Sequence, residues 1–462
     1  MTGFGAERER ALKARIGRFA RKKGHMHMSV EAHEIQSSPA LAPVFEARRL
    51  REMALSAGAD DVGFVSIDDP AMEFEREEIL AAFPFAKSLV SFVMRMNREN
   101  IRSPARSAAN VEFHRVGDET DAVAHRLARM LEDMGARAAY PSMAFPMEAQ
   151  RWPAKMWIVS HKPVAVAAGL GRMGLHRNVI HPKFGNFILL GTVVVDLALD
   201  TYSRPLDYNP CLSCKLCVAA CPTGAIAPDG AFDFAACYTH NYREFMGGFM
   251  DWVETIADAK SAGSYREKVS DAESISMWQS LAYGPNYKAA YCIAVCPAGE
   301  DVIGAYRDDR KGFLASVVDP LQKKEETIYV TPNSDAEDYV KRRFPHKRVK
   351  RVANGMRASS IAAFARGLSL RFQKKRAGDL RAVYHFAFRG AERKDLTVVI
   401  EKGRLRVDEG LIGGADLRIS ADAEAWLRFL RKETSLLWAL LTLEIRLRGD
   451  PRLLVAFGRC FP

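Results

Sequence analysis

Cys211, Cys214, Cys217 and Cys221 stand in the run "NPCLSCKLCVAACPTGAI", with Pro222 directly after the last of them. Three thiolates at two-residue gaps can hold three corners of one Fe₄S₄ cube, while the intervening N–H groups donate to its sulfides. The fourth cysteine of such a run points away and serves a neighbouring cluster. A second group lies downstream, with Cys237 alone and then Cys292 and Cys296-Pro297 in "YKAAYCIAVCPAGED". Reciprocal exchange assigns Cys211, Cys214, Cys217 and Cys296 to cluster one, a [4Fe–4S] cluster. Cluster two receives Cys221, Cys237 and Cys292. The place where a further cysteine would complete the second motif is filled by Ala289. Three readings of cluster two stay open. It is [3Fe–4S], or [4Fe–4S] with a non-cysteine ligand from His240, Tyr287 or Tyr291, or it is completed by Cys460. The first two are preferred, because a cysteine on the apolar face of a terminal helix is usually a small buried hydrophobe. Clusters that exchange ligands pass electrons singly, so a low-potential donor of ferredoxin or flavodoxin type is the expected partner.

Upstream, "VAVAAGLGRMGLHRNVIHPKFGNFILLGTVVVD" contains Gly169, Gly171 and Gly174 in a G-x-G-x-x-G pattern. A dinucleotide fingerprint needs a helix after the glycines, and Pro182 and Gly185 forbid a long one here. The alternative is a loop whose bare backbone approaches a large flat cofactor or a cluster. Gly169, Gly171, Gly174, Arg177, Asn178, Gly185 and Gly191 are the cofactor-binding candidates on this reading.

The elements that must position these residues follow from pattern. "VFEARRLREMALSAGAD" has helical spacing and closes at Gly58. "DVGFVSI", "SLVSFVMRM" and "NFILLGTVVVDLAL" read as strands, and "ETDAVAHRLARMLEDMGA" as an amphipathic helix. After residue 360 short strands separated by turns precede helical stretches. The fold class expected is α+β multidomain, divided as follows: a basic N-terminal extension over 1–42, an α/β cofactor domain over 43–205, and a two-cluster ferredoxin-like module over 206–330. A basic linker over 331–359 and a small α+β lipid-binding domain over 360–462 complete the division. The linker carries "VKRRFPHKRVKR", a charge run expected to be solvated, in which Pro345 would interrupt a helix.

With 462 residues the chain is too long for one core. Seven of the eight cysteines fall between 211 and 296, which argues for metal binding rather than crosslinks. A formal charge of +11 favours anionic partners without choosing among them. No run of eighteen apolar residues occurs, and the opening stretch has neither an apolar signal core nor a paired-arginine export motif, so a cytoplasmic location is expected. The basic, partly apolar helix near the start, with Leu12, Ile16 and Phe19 among its cations, allows peripheral contact with a membrane.

The run from "HKPVAVAAGLGRMGLHRNVIHPKFGNF" through "NPCLSCKLCVAACPTGAI" resembles the catalytic core shared by epoxyqueuosine reductases and reductive dehalogenases. The likeness covers about 45 to 300. It implies a cobalamin-binding domain ahead of a two-cluster module, with cobalt reduced through the nearer cluster. Departures are plain: Arg172 stands for the usual tryptophan, and Leu175-His176 for lysine and asparagine. An ungapped match puts Lys155 where that family has a proton-donating aspartate. Lys155, His161 and His176 are therefore the catalytic candidates, with His181 a further source of a proton or a cofactor contact.

The segment "GDLRAVYHFAFRG" through "IRLRGDPRLLVAF" resembles the sterol carrier protein 2 family. That implies a five-stranded sheet with helices over an apolar tunnel, which Phe386, Trp426, Phe429, Leu436, Trp438 and Leu441 could line. Epoxyqueuosine reductases carry a helical-repeat tail suited to transfer RNA, and none is apparent here, so nucleic acid is not expected as partner. The function expected is an iron–sulfur, corrinoid-dependent reductase of a hydrophobic small molecule or lipid. Its rival is a ferredoxin-like electron carrier tethered to a lipid or a partner enzyme.

Overall fold

The structure, a computed structural model, describes residues 44–152, 155–211 and 213–462. The basic extension over 1–42 lies outside the described residues. Helix α1 (Ala47–Ser56) ends before Gly58 and leads into β1 (Asp61–Ser66), whose middle residues are all buried. β2 (Ser88–Arg95) pairs antiparallel with β1 and carries seven buried residues in succession, so both of its faces are covered. The helix expected near 119–136 is longer than its pattern suggests: α2 spans Arg106–Glu132. Its first turns pack Phe113 and Val116 into the same core as the clearer apolar stripe behind them. β3 (Ala138–Ala139) and β6 (Ile188–Val195) complete a four-stranded sheet in the order β1-β2-β6-β3.

Every neighbour pair in this sheet is antiparallel. The expected α/β character is thereby corrected to α+β, because alternation of strand and helix patterns does not encode strand direction. No long helix follows the glycine pattern. After α3 (His161–Ala167) the chain turns into a two-stranded ribbon of β4 (Arg172–Met173) and β5 (Val179–Ile180).

The cysteine module is helical and short-looped. α4 (Leu216–Ala220), α5 (Phe234–Asn241) and α6 (Tyr291–Ala294) hold or flank five of its cysteines. Cys217, Cys221, Ala289 and Tyr291 share one core with β2, α2 and β6.

The stretch expected as a solvated linker is folded. β7 (Thr327–Val330) runs parallel to β8 (Arg348–Arg351), joined by α7 (Asp335–Arg343), which stops before Pro345. Four of its cations have carboxylate partners, Lys341 with Glu337 among them, while Arg342, Arg343 and Arg348 are exposed. Lys347 is buried, with Nζ donating to Leu321 O, Lys324 O and Glu326 Oε1, while Lys350 pairs with Glu273 and Arg351 with Glu337. A charge run folds when carboxylates distant in sequence neutralise it, and that pairing cannot be seen locally.

The C-terminal part has its own core, drawn from residues 358 to 461. α8 (Ile361–Arg371) covers a five-stranded sheet ordered β11-β10-β9-β12-β13. Its strands are β9 (Arg381–Arg389), β10 (Lys394–Glu401), β11 (Arg404–Glu409), β12 (Leu417–Asp422) and β13 (Ile445–Gly449). The pair β9/β12 is parallel and the others antiparallel. α9 (Ala423–Leu430), α10 (Leu436–Leu441) and α11 (Arg452–Cys460) follow. Phe386 and Trp426 pack against each other inside this core, whereas Trp438 is 61% and Leu441 77% exposed. They do not share one tunnel wall, because α10 turns its larger side chains outward. Residues 44–462 form one compact unit. Among the described residues no helix is long and apolar enough to cross a membrane.

Candidate functional site

The seven clustered thiols divide between two cavities. Cys211, Cys214, Cys217 and Cys296 line a cavity of about 420 Å³, together with Pro297, Ala298 and Gly174. Cys221, Cys237 and Cys292 line a second one of about 690 Å³, with Ala289 and His240 in the same wall. Beyond the thiols the larger cavity continues between aromatic and apolar side chains, among them Phe145, Trp157, Leu190, Phe232 and Tyr287. His176 and Arg177 border both cavities.

Local structure explains how the thiols are presented. Ser213 (φ 58°) and Lys215 (φ 53°) take left-handed backbone between Cys211 and Cys217, which turns successive side chains to one side. Such conformations cost a non-glycine residue on the order of 1 kcal/mol and persist where the surroundings enforce them. Leu175 N–H donates to Cys211 Sγ at 3.4 Å. Burial and the neighbouring thiolates push Cys217 well up, and burial with the Cys221 thiolate pushes Cys292 up to about 12. Without metal these thiols keep their protons, so metal binding must release them. Lys162 opposes the trend at Cys237 and Cys292. Its ammonium is fixed by Arg177 O (2.9 Å) and Asn178 Oδ1 (2.8 Å) and borders the larger cavity. No property of the sequence singled out Lys162, because a lysine beside a histidine at the start of a helix carries no signal of its own.

Buried cations provide a test of whether anionic clusters fit. Arg106 is buried with its guanidinium 5.3 Å from the Tyr291 ring centroid, and Arg102 lies 5.3 Å from that of Phe187. Nε and Nη2 of each have no hydrogen-bond partner among the described residues. Burial lowers the pKa of both arginines, and among the opposing charges are the thiolates of Cys292 at Arg106 and of Cys296 at Arg102. Glu99 offsets part of the Arg102 charge and Glu326 part of that of Arg106, and thiolate-bound clusters would add anionic partners beside their unpartnered N–H groups. The residues present fit two iron–sulfur clusters. Cys460 stands apart: it is buried in the C-terminal core with Sγ donating to Ala456 O at 3.2 Å.

The other candidates separate into those at the cavities and those elsewhere. His161 borders the larger cavity, yet both nitrogens are engaged: Nε2 with Ser142 O (3.0 Å) and Nδ1 with Thr192 Oγ1 (2.9 Å). Burial lowers its pKa, so it is neutral and held in place. In His176, burial brings the pKa down to about 4, Nδ1 accepts from Asn178 N–H (3.1 Å), and Nε2 meets the Asn186 amide (3.1 Å). Lys155 is not at either cavity, because Glu75 (2.7 Å) and Glu78 (2.5 Å) clasp its ammonium. His181 pairs with Asp61 at 3.0 Å and also lies outside. Arg177 and Asn178 border the larger cavity and Gly174 the smaller.

Gly169, Gly171, Gly185 and Gly191 press instead on protein: Arg204 O, Ile180 O, Ala298 O and the Phe92 ring. The expectation that this bare backbone faces a cofactor is corrected at these four positions. Glycine spacing reports close approach, but not what is approached. Gly185 matters most, since the loop 181–185 seats the segment that follows Cys296. Glu300 N–H donates to Pro182 O (2.8 Å) and Asp301 N–H to Lys183 O (3.0 Å).

The fold and these thiols define an iron–sulfur protein with an adjoining α+β domain. Residues 205–227 match the model of the 4Fe-4S binding domain, and residues 368–462 that of the SCP-2 sterol transfer family. The chain is similar to epoxyqueuosine reductases: 35% identical over 103 residues to that of Cellulophaga algicola, covering 21% of this chain and 33% of the relative. It is 33% identical over 124 residues to that of Vibrio cholerae, covering 27% and 32%. The chain thus spans about a third of the length of these curated relatives. Among solved structures, the epoxyqueuosine reductase of Streptococcus thermophilus aligns with a TM-score of 0.30 at 20% identity, over 40% of this chain and 54% of that one. The catabolic reductive dehalogenase NpRdhA aligns at 0.35 and 17% identity, over 59% and 34%. These relatives are named for epoxyqueuosine, and one solved reductase is described with a tRNA-Tyr stem loop carrying it. The expectation that sets nucleic acid aside is withdrawn, since it rested on a missing tail rather than on the site.

Proposed function

We propose that this protein is an iron–sulfur reductase in which two clusters pass single electrons into an organic ligand held in the larger cavity. Cluster one would rest on Cys211, Cys214, Cys217 and Cys296, and cluster two on Cys221, Cys237 and Cys292. The observation that carries this reading is the continuity of the three-thiol wall with an aromatic-lined cavity of about 690 Å³. Ligand pockets of a few hundred Å³ with apolar walls and a few polar groups are the usual form of a substrate site. A simple electron carrier has no use for one. The 4Fe-4S model match and the epoxyqueuosine reductase relatives support the iron–sulfur half of the proposal. Clusters would supply electrons one at a time from a low-potential donor. In this chain Lys162 offsets negative charge at Cys237 and Cys292, and His161 and Asn186 help wall the cavity. An apolar or flat aromatic substrate suits those walls, a modified nucleobase included.

A corrinoid finds less support in this chain's own residues. Of the positions that the resemblance nominates, four glycines press on protein and Lys155 is paired away from the cavity. The C-terminal domain offers a separate contact: Leu437, Trp438 and Leu441 of α10 are exposed, which suits an apolar or lipid partner.

Protein purified without oxygen and assayed for iron, sulfide, zinc and cobalt tests the core of this reading. Iron and sulfide in amounts for two clusters are expected. Colourless or zinc-loaded protein would refute it. Titration of the reduced protein with cobalamin, and flotation with liposomes, check the two subsidiary contacts.

A further inference from the structure

Two segments of the cysteine module repeat one backbone signature. Lys215, at φ 53° and ψ 23°, starts the short helix Leu216–Ala220. Ala290, at φ 56° and ψ 26°, starts the short helix Tyr291–Ala294 in the same way. Before Lys215 stands Cys214, and after it come Cys217 and Cys221-Pro222. Before Ala290 stands Ala289, and after it come Cys292 and Cys296-Pro297. The turn that presents a thiol at 214 therefore recurs at 289, where a methyl stands in the thiol's place. Ala289 is also pinned. Lys288 N–H donates to Asn241 O (3.2 Å) and Ala289 N–H to Asn241 Oδ1 (3.0 Å), which ties it to the end of α5.

That helix carries Cys237 and His240 three residues apart and so on one face. His240 is only 2% exposed and borders the larger cavity with Cys221, Cys237, Cys292 and Ala289. Its placement invites the role of substitute ligand, but its hydrogen bonding forbids it. Nδ1 accepts from Tyr329 N–H at 3.3 Å, and Nε2 has no partner among the described residues. A neutral imidazole has one N–H and one lone pair. With the lone pair used at Nδ1, the proton is on Nε2, which is then a donor with nothing to offer iron. Ligation through Nε2 would move the proton to Nδ1 and set it against the Tyr329 N–H. Tyr291 is also engaged, its hydroxyl donating to Glu326 Oε2 at 2.6 Å.

We infer that the corner of cluster two facing Ala289 carries no protein ligand, and that His240 serves this cluster as an Nε2–H donor. The iron at that corner takes a small donor from outside the chain: water, hydroxide, or an oxygen or nitrogen of a ligand in the larger cavity. This rests on the proposal above that the seven cysteines hold two clusters, and it deepens that proposal by marking where a ligand meets the metal.

The test uses the full chain, reconstituted anaerobically with iron and sulfide. Brief ferricyanide oxidation should release iron from one cluster only and give a [3Fe–4S] paramagnetic resonance signal. ¹³C-cyanide added to the reduced protein should show carbon hyperfine coupling. Ala289→Cys should abolish both effects. With ¹⁵N-labelled histidine the wild-type chain should show only the weak coupling of a hydrogen-bonded imidazole. His240→Gln and Tyr287→Phe should keep iron content, three-iron signal and cyanide coupling. Strong directly bonded ¹⁵N coupling, loss of iron from one cluster in His240→Gln or Tyr287→Phe, or a wild type without the three-iron and cyanide signals would overturn the inference. Because the labelling needs no variant, poor folding of His240→Gln leaves it testable. A chain without iron would refute the two-cluster reading itself, whereas two intact, unreactive clusters refute only the open corner.

Discussion

Replacing Gly185 by alanine probes how the first domain holds the cysteine module. Gly185 has φ 65°, and a Cβ built on it would overlap the carbonyl oxygen of Ala298. Two residues before Ala298 lies Cys296, which borders the four-thiol cavity. Alanine in left-handed backbone costs roughly 1–2 kcal/mol. To relieve the overlap, the segment 298–301 must retreat from the loop 181–185, which strains the bonds Glu300 N–H to Pro182 O and Asp301 N–H to Lys183 O. Each such bond contributes about 1 kcal/mol. Gly185→Ala should therefore destabilise by about 3–4 kcal/mol and lower the iron retained per chain. Gly413→Ala is the matched control, because Gly413 has φ 69° with nothing within 4 Å of an added Cβ. It should lose only the backbone part, about 1–2 kcal/mol, and keep its iron. Anaerobic urea unfolding followed by circular dichroism, with iron assayed on the same samples, reads both quantities. Equal destabilisation of the two variants with full iron in both would refute the claim that this contact seats Cys296.

Cys460→Ser should leave iron and sulfide per chain unchanged, since Cys460 sits in the C-terminal core, and should cost no more than about 2 kcal/mol for the buried hydroxyl. Trp426→Ala, at the centre of a cluster with Phe364, Phe386 and Phe388, should cost about 3–5 kcal/mol in urea unfolding. Trp426→Phe should cost well under half as much, because the Trp426 Nε1 has no partner to lose. Glu273 is opposed by burial, but Lys350, the Ser270 N–H and Tyr329 hold its pKa at about 2, below the ordinary 4.5. A carboxylate depressed in this way stabilises the fold above the ordinary value, and its contribution fades as pH falls from 4.5 toward 2. Glu273→Gln should thus cost about 2 kcal/mol near neutral pH, allowing for partial exposure, with the gap from wild type closing on acidification, as urea midpoints across pH would show.

The spacing of Cys211 to Cys221 determined the chemistry without help from the fold. Ligands a few residues apart are held together by the chain itself, so their geometry is local. The buried strands at 61–66, 88–95 and 188–195 were legible for a similar reason, because long β-branched and apolar runs bury on both faces. The pairing of Cys292 and Cys296 with cysteines 55 to 85 residues earlier was open to a reciprocity argument only because the motif repeats. Tertiary structure decided the remainder. It buried Lys347 of the basic run 341–351 against Glu326 and paired Lys350 and Arg351 with carboxylates at 273 and 337, while most of the run's other cations stay at the surface. It set four glycines against protein atoms, took Lys155 away with Glu75 and Glu78, and brought Lys162 to the thiols. It also fixed the proton of His240 through a backbone N–H from Tyr329, a residue eighty-nine positions away. Each of these depends on which partner arrives from a distant part of the chain, and neither residue type nor spacing carries that information.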